Sequence, residues 1–132
     1  MAEVSQIPAW VALFMGLYAL GASIGELRVP GSWAAMLDDF ENKPGLQFLT
    51  GIVLIGLGAA IYLTNPWNPA DWLAVVVTVL GGGMALEGVV MLAFGKPYMH
   101  FARKLLGQVN RGWALFSAAI GIAFIVIALQ RL

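Results

Sequence analysis

Four long apolar runs dominate the chain, and each predicts a helix that crosses a membrane. They cover residues 7–24, 46–64, 72–94 and 113–129. A hydrocarbon layer about 30 Å thick requires roughly 17–25 apolar residues per helix, so each run is long enough. Breakers separate the runs: Lys43-Pro44-Gly45 precedes the second, and the proline-rich stretch 65–71 precedes the third.

The apolar pattern occurs twice. When the sequence is shifted by 65 positions, Gly16 falls on Gly81, Trp33 on Tyr98 and Gly56 on Gly121. Each half, about 7–64 and about 72–129, consists of an apolar helix, a short amphipathic segment and a second apolar helix. We therefore predict an all-α membrane protein in which one domain, residues 1–132, contains four transmembrane helices as two tandem helix-hairpin repeats. Such repeats are related by a pseudo-two-fold axis along the membrane normal.

The two amphipathic segments are predicted to lie in the membrane interface. In the first, Ser32 is a candidate N-cap, and the apolar residues that follow it recur at helical spacing. The second contains Tyr98 and His100 at its start. Both patterns are typical of short helices whose apolar stripe faces the membrane. His100 has no cysteine or second histidine near it, so we expect it to contact headgroups rather than a metal ion.

Charges on these two segments are opposite at equivalent positions. Asp38 falls on Arg103 and Asp39 falls on Lys104. Either the segments are solvated turns that place Trp33 among the headgroups, or they pair through these charges, within one chain or between two copies. Exposed ion pairs contribute only about 0–1 kcal/mol, so such pairs would set the register rather than hold an assembly together.

Composition excludes several classes of function. Hydrophobic residues make up 61% of the chain and charged residues 11%, against roughly 45–50% and about 25% in soluble domains. The net charge is zero and no basic stripe is present, so we expect no nucleic-acid partner. The sequence has no cysteine and one histidine, and it shows no nucleophile–base pair or phosphate-binding loop. We expect neither cofactor nor metal, and no enzymatic activity.

Small residues recur four apart in all four predicted helices, which favours close helix packing in lipid. The glycines that we consider for packing or for docking another chain are Gly21, Gly25, Gly56, Gly81, Gly82, Gly83 and Gly121. The run Gly81-Gly82-Gly83 is unusual in mid-helix, and it indicates close packing, a kink or a docking groove.

Glu87 is the one charge that the pattern places well inside a span. It precedes Phe94 by seven residues, so it lies roughly 10 Å below the helix end at about 1.5 Å per residue. Intramembrane carboxyls are candidate functional residues. One interpretation is a structural carboxyl bonded to Ser23, Thr50 or Ser117; the other is an ion- or proton-coupled site.

Each half resembles the small YjeT-like bacterial inner-membrane proteins, a two-helix family of unknown function. The first half has Pro30-Gly31-Ser32-Trp33-Ala34-Ala35-Met36, similar to that family's Pro-x-x-Trp-x-x-Met, and the second has Glu87-Gly88 followed by Arg111 and Gly121. The motifs are divided between the halves, because the first lacks the Glu and the second has Lys96-Pro97-Tyr98 at the Pro-x-x-Trp position. The resemblance implies a fused duplication with a helper role.

The leading functional hypothesis is a small accessory or structural subunit that docks on another integral membrane protein or on copies of itself. The alternative is a small oligomeric carrier or channel that uses Glu87.

Orientation gives the first testable prediction. Arg28, Lys43, Lys96 and three further cations lie in the first and third connections, whereas the middle loop has none and the tails only Arg131. The positive-inside rule then places both termini on the outer, periplasmic side of a bacterial inner membrane. Cysteines introduced at Asp38 and Lys104 should react with a membrane-impermeant reagent only after the membrane is opened. Labelling of residue 104 from outside would reverse the orientation.

Overall fold

A computed structural model describes residues 6–106 and 111–132, and within them the chain folds into five helices. The helices are α1 (Ile7–Arg28), α2 (Ser32–Asn42), α3 (Pro44–Thr64), α4 (Trp72–Leu106) and α5 (Arg111–Arg131). All except α2 are long and apolar enough to cross a membrane. The predicted all-α membrane fold is therefore confirmed, and the first amphipathic segment is α2.

The second amphipathic segment differs from the prediction because it is a continuation of α4. The helix bends at Phe94, where φ is −137° and ψ is 45°, and Pro97 lies inside it three residues later. Proline has no N–H for the helical ladder and its ring crowds the preceding turn, which accounts for the bend here. Gly81-Gly82-Gly83 stays helical, so the kink is at Phe94 and not at the glycine run.

The helices pair across the two halves of the sequence. The two largest interfaces join α3 to α4 and α1 to α5. The first span of each half thus packs against the second span of the other half, and the hairpin arrangement that we expected within each half is not among the principal contacts of the described residues.

Both interfaces depend on glycines that bring two backbones together. A Cβ atom on Gly58 would lie 2.5 Å from the Ala85 nitrogen and 2.6 Å from the Gly81 oxygen. In the other interface, a Cβ atom on Gly16 would lie 2.7 Å from the Gly121 oxygen. These positions have no room for a side chain, so the helices approach as closely as their backbones allow.

The contacts correct the register of one glycine. Gly16 packs on Gly121, and Gly81 packs on Gly58. Gly16 and Gly81 are 65 positions apart, as the repeat predicts, but Gly58 and Gly121 are 63 positions apart. Gly56 instead faces open space. The duplication itself stays a prediction.

The remaining candidate glycines lie away from these two interfaces. A Cβ atom on Gly82 would lie 3.4 Å from the ring of Tyr62, which is ordinary contact, whereas Gly21, Gly25 and Gly83 have nothing within 4 Å of an added Cβ atom. These three open positions can accept larger side chains without disturbing the packing within the chain.

A small core closes one end of the bundle. Ala12, Leu73, Val77 and Ala128 are fully buried together there. We name this end, which carries residues 65–71, the outer end, and the end that carries α2 the inner end, after the orientation expected from the sequence. At most 28% of any apolar window is buried inside the bundle, so most apolar side chains face lipid or another chain.

Gly58→Ala tests the close approach. We expect it to lower the free energy of unfolding by about 1–3 kcal/mol, because the methyl group overlaps backbone atoms that cannot move independently. The matched control is Gly56→Ala, two residues away on the same helix and open. Unfolding in mixed micelles, followed by circular dichroism, measures both. Equal destabilisation by the two variants would contradict this packing.

Candidate functional site

The acidic residue buried at the inner end is Glu26, on the last turn of α1. Its side chain is 3% exposed. Its carboxylate accepts hydrogen bonds from the backbone N–H groups of Gly31, at 3.0 and 3.1 Å, and of Trp33, at 3.1 Å. Gly31 has φ of 95° and is the N-cap residue of α2, so the predicted N-cap, Ser32, is wrong by one position. Glu26 thus satisfies N–H groups that α2 cannot satisfy itself, and its charge suits a helix N-terminus.

Gln47 holds the opposite end of α2. Its Nε2 donates to the carbonyl oxygens of Phe40, at 2.6 Å, and Glu41, at 3.2 Å. The amide oxygen lies so close to Gly95 that a Cβ atom there would overlap it. Since Gly95 follows the bend at Phe94, this contact also joins α3 to the kinked part of α4. The two ends of α2 are therefore fixed by side chains from the two helices that flank it.

Arg103 connects α2 to the end of α4. Its guanidinium donates to Asp38 and, at 2.6 Å, to Glu41. The His100 Nδ1 lies 3.5 Å from the other oxygen of Glu41. The Arg103 hydrogen bond, aided by His100, holds the pKa of Glu41 below its usual value although partial burial opposes this. Pairing between the two segments within one chain is thus confirmed for Asp38 and Arg103.

The second expected charge pair does not form within the chain. Asp39 lies 3.4 Å from Lys43, the C-cap residue of α2, rather than against Lys104. Lys104 is exposed. Two exposed charges four residues apart at the end of a helix are close enough to pair locally.

Polar contacts also close the outer end. The Asp71 carboxylate accepts hydrogen bonds from the Leu73 N–H, at 3.1 Å, and from Arg131, at 2.7 Å. Arg131 lies 5.4 Å from the centre of the Trp72 ring. Burial would raise the pKa of Asp71, but the Arg131 hydrogen bond and charge, with the backbone N–H groups, lower it on balance. This ion pair joins the end of α5 to the start of α4.

A buried amide also joins two helices at this end. Asn65, at the end of α3, donates through Nδ2 to the Ala74 carbonyl at 2.9 Å and to the Thr78 hydroxyl at 2.7 Å. It joins α3 to α4 where the loop leaves the membrane.

Glu87 is exposed on the outside of the bundle, contrary to the expectation of a buried acid. Its carboxylate accepts a hydrogen bond from the Tyr98 hydroxyl at 2.8 Å. Ser23, fully buried, donates instead to the Ala19 carbonyl at 2.6 Å. Thr50 and Ser117 are half-buried. The three hydroxyl residues proposed from sequence as its partners are thus replaced by Tyr98, eleven residues along the same bent helix.

Trp33 makes the equivalent contact in the first half. Its Nε1 donates to the Ala22 carbonyl at 3.1 Å, also across eleven positions. Trp33 corresponds to Tyr98, and Ala22 to Glu87, at the shift of 65. Both interfacial aromatic residues therefore turn back onto the span that precedes them. In the second half the acceptor is the Glu87 carboxylate, whereas in the first half it is the Ala22 backbone carbonyl.

Two surface grooves accompany these contacts. The one at the inner end has a volume of about 410 Å³ and is lined by Tyr18, Ala19, Ala22, Trp33, Met36, Leu37, Phe40, Trp113 and Ser117. At the outer part of the α3–α4 pair, a second groove of about 590 Å³ is lined by Tyr62, Trp67, Thr78, Val79, Gly82, Gly83 and Leu86. Both are mainly apolar, as small-molecule and lipid sites are.

Within residues 6–106 and 111–132, no three His, Asp or Glu side chains converge in a way that could hold a metal ion. Apart from Ser23, which bonds within α1, the buried polar side chains bond to helix ends and to neighbouring helices.

Comparisons with protein-family models, with curated proteins and with solved structures found no match to this chain.

Sequence reasoning missed Glu26 and Gln47. Both lie at the edges of apolar runs, where a polar residue is usually assigned to the adjoining turn. The spacing could have indicated the role of Glu26. It lies only five residues before Gly31, so its carboxylate can reach the N–H groups at the start of α2.

Glu26→Ala tests the clamp on α2. We expect a loss of about 1–3 kcal/mol in the free energy of unfolding, because the Gly31 and Trp33 N–H groups lose their acceptor in a dry site. Glu26→Gln keeps one acceptor oxygen and should lose less. Asp39→Ala, an exposed acid in α2, is the control. An unchanged protease-cleavage rate in α2 and unchanged stability of Glu26→Ala would contradict this role.

Proposed function

We propose that this chain is a small accessory subunit of an inner-membrane complex, and that it docks through the lipid-facing side of α4. As part of this proposal, both termini lie outside, and the chain is related to the YjeT-like proteins that it resembles. It rests chiefly on the position of Glu87.

A carboxyl on the outer surface of a span requires an explanation. Leu86 beside it is 70% exposed, and Val89 and Val90 are also exposed. In a bilayer these side chains would face hydrocarbon, where an ionisable group is expensive and marks a functional position. Tyr98 is the partner that the described chain supplies, and it contacts one of the two carboxylate oxygens. A helix of another protein that carries a donor at this depth would satisfy the other.

The neighbourhood of Glu87 suits close approach by a helix. Gly83 lies one turn before it and is open, so a backbone can come near at that point. The interior glycines of the α3–α4 pair, in contrast, are already occupied by packing. An open glycine beside a carboxyl combines the two features that drive helix association in lipid: close contact and an interhelical hydrogen bond.

The second candidate function, a proton- or cation-coupled carrier, is also supported by Glu87, because a tyrosine hydroxyl beside a carboxyl can exchange a proton with it. Neither of the two surface grooves is lined by Glu87, however. The carboxyl lies on the outside of the four spans rather than between them, and this favours docking over a path through the chain.

Site-specific cross-linking tests the proposal. A photo-reactive amino acid at Leu86 should form an adduct of one defined mass in native membranes. Glu87→Leu should reduce its yield by roughly three- to thirtyfold, the range expected for one interhelical polar contact. The matched control is a probe at Leu57 on α3, which is 53% exposed. Its adducts should not depend on Glu87.

Two results would contradict the accessory role. One is an adduct at Leu86 whose yield is unchanged in Glu87→Leu. The other is a proton-dependent flux in proteoliposomes that Glu87→Gln abolishes while the helical content stays the same, which would support the carrier instead.

A further inference from the structure

The last part of α4, residues 95–106, leaves the direction of the span at Phe94, and we call it the α4 tail. Tyr98 in the tail donates a hydrogen bond back to Glu87 in the span. In a straight helix these two residues would be separated by roughly 16 Å along the axis, at about 1.5 Å per residue. A glutamate and a tyrosine side chain joined by a hydrogen bond are too short for that distance. The tail therefore bends toward the side of α4 on which Glu87 lies.

This bend places the tail in the path of a helix that docks at Glu87. Two packed helices lie about 8–10 Å apart. Phe101 is seven residues beyond the bend, which is roughly 10 Å at about 1.5 Å per residue, and both Phe101 and Leu105 are exposed. A spanning helix that packs on α4 at Glu87 and continues to the inner surface would meet the tail. It can pass only when the tail moves aside.

The tail lacks the side chains that fix α2, its counterpart in the first half. Glu26 and Gln47, which hold the two ends of α2, fall on Met91 and Gly112 at the shift of 65 positions. A methionine and a glycine cannot form the side-chain hydrogen bonds that the carboxylate and the amide form in the first half. The tail is therefore the less firmly held of the two interfacial segments.

Polar contacts at the surface hold the tail against α2. Arg103 donates to Asp38 and Glu41, and its side chain is 36% exposed. His100 lies beside Glu41 as well. Ion pairs at such exposed positions contribute little to stability. Met99 is buried on the inner side of the tail, so its exposure reports when the tail leaves α2.

We infer that the α4 tail is a strap that covers the inner part of the docking face around Glu87 and opens to admit the partner helix. The inference rests on the proposed docking, because it concerns the regulation of that same site. The tail turns at Phe94, where the backbone already departs from helical angles. Opening separates Arg103 from α2. It also releases Tyr98, so both oxygens of the Glu87 carboxylate become available to the partner.

Cysteine labelling measures the opening without any partner. The chain has no cysteine, so Met99→Cys supplies a single thiol that is buried when the strap is closed. In purified protein reconstituted in phosphatidylcholine vesicles, its rate of reaction with N-ethylmaleimide follows the fraction of open molecules. Arg103→Gln should raise this rate roughly three- to tenfold, the range expected when hydrogen bonds to charged groups are lost at an exposed site.

Two controls accompany this measurement. Ser23→Cys places a thiol at a fully buried position of α1, and its rate should be the same with and without Arg103→Gln unless the whole bundle loosens. Lys104→Gln removes the same charge from the adjacent residue, which is exposed and forms no ion pair within residues 6–106 and 111–132. It should leave the Met99→Cys rate unchanged.

The photo-reactive probe at Leu86 measures docking in native membranes. Adduct yield is followed over a range of expression levels, so that the half-saturating level reports the apparent affinity. A site that is open for only a fraction of the time has an affinity reduced by that fraction. Arg103→Gln should therefore lower the half-saturating level roughly three- to tenfold, and Lys104→Gln should not. Arg103 bonds to α2 and not to Glu87, so this gain cannot come from new contacts at the docking face.

Four results would overturn the inference. An unchanged Met99→Cys rate in Arg103→Gln would show that the ion pairs do not hold the tail. An equal effect of Lys104→Gln would show a general influence of surface charge. A raised rate with an unchanged half-saturating level would show that the tail does not cover the docking face, while the docking itself would stand. A raised rate without a Leu86 adduct in any variant would refute the accessory role and, with it, the purpose of the strap.

Discussion

The close approach of two backbones, at Gly16 with Gly121 and at Gly58 with Gly81, is the constraint on which the rest of the structure depends. Burial of apolar surface contributes little to helix association in lipid. Close contact at the glycine positions therefore has to supply the free energy of association. Because each pair joins one helix from each half, the chain must cross from one pair to the other through α2. The position of α2 is therefore not set by glycine packing, and other contacts have to fix it.

Polar side chains provide those contacts. Glu26 and Gln47 satisfy the two ends of α2, and Arg103 joins it to α4. At the outer end, Asp71 and Arg131 join α4 to α5. Most of the buried or half-buried charged side chains therefore have a structural role, because they join helices or satisfy helix ends. These contacts do not account for Glu87, which lies on a lipid-facing surface. That position supports docking of a partner helix.

The sequence predicted the spans well because length and apolarity are local properties. The contact between Asp38 and Arg103 was one of two alternatives that the sequence left open, and it followed from the equivalence of those positions in the repeat. It did not predict which helices pair. That choice depends on whether Gly56 or Gly58 faces α4, and two residues along a helix change the direction of a side chain by about 200° at 3.6 residues per turn. Glu87 was misplaced for the same reason: hydropathy gives its depth but not the direction that it faces.

The pairing of the first helix with the last is the central claim, and disulfide trapping tests it most directly. The chain has no cysteine, so pairs can be introduced without background. Ala12 of α1 and Ala128 of α5 are fully buried in the same cluster, whereas Ala60 of α3 is exposed. Ala12→Cys with Ala128→Cys should form a disulfide rapidly in native membranes, and Ala12→Cys with Ala60→Cys should not. The reverse result would show that each half closes as its own hairpin and would contradict this structure.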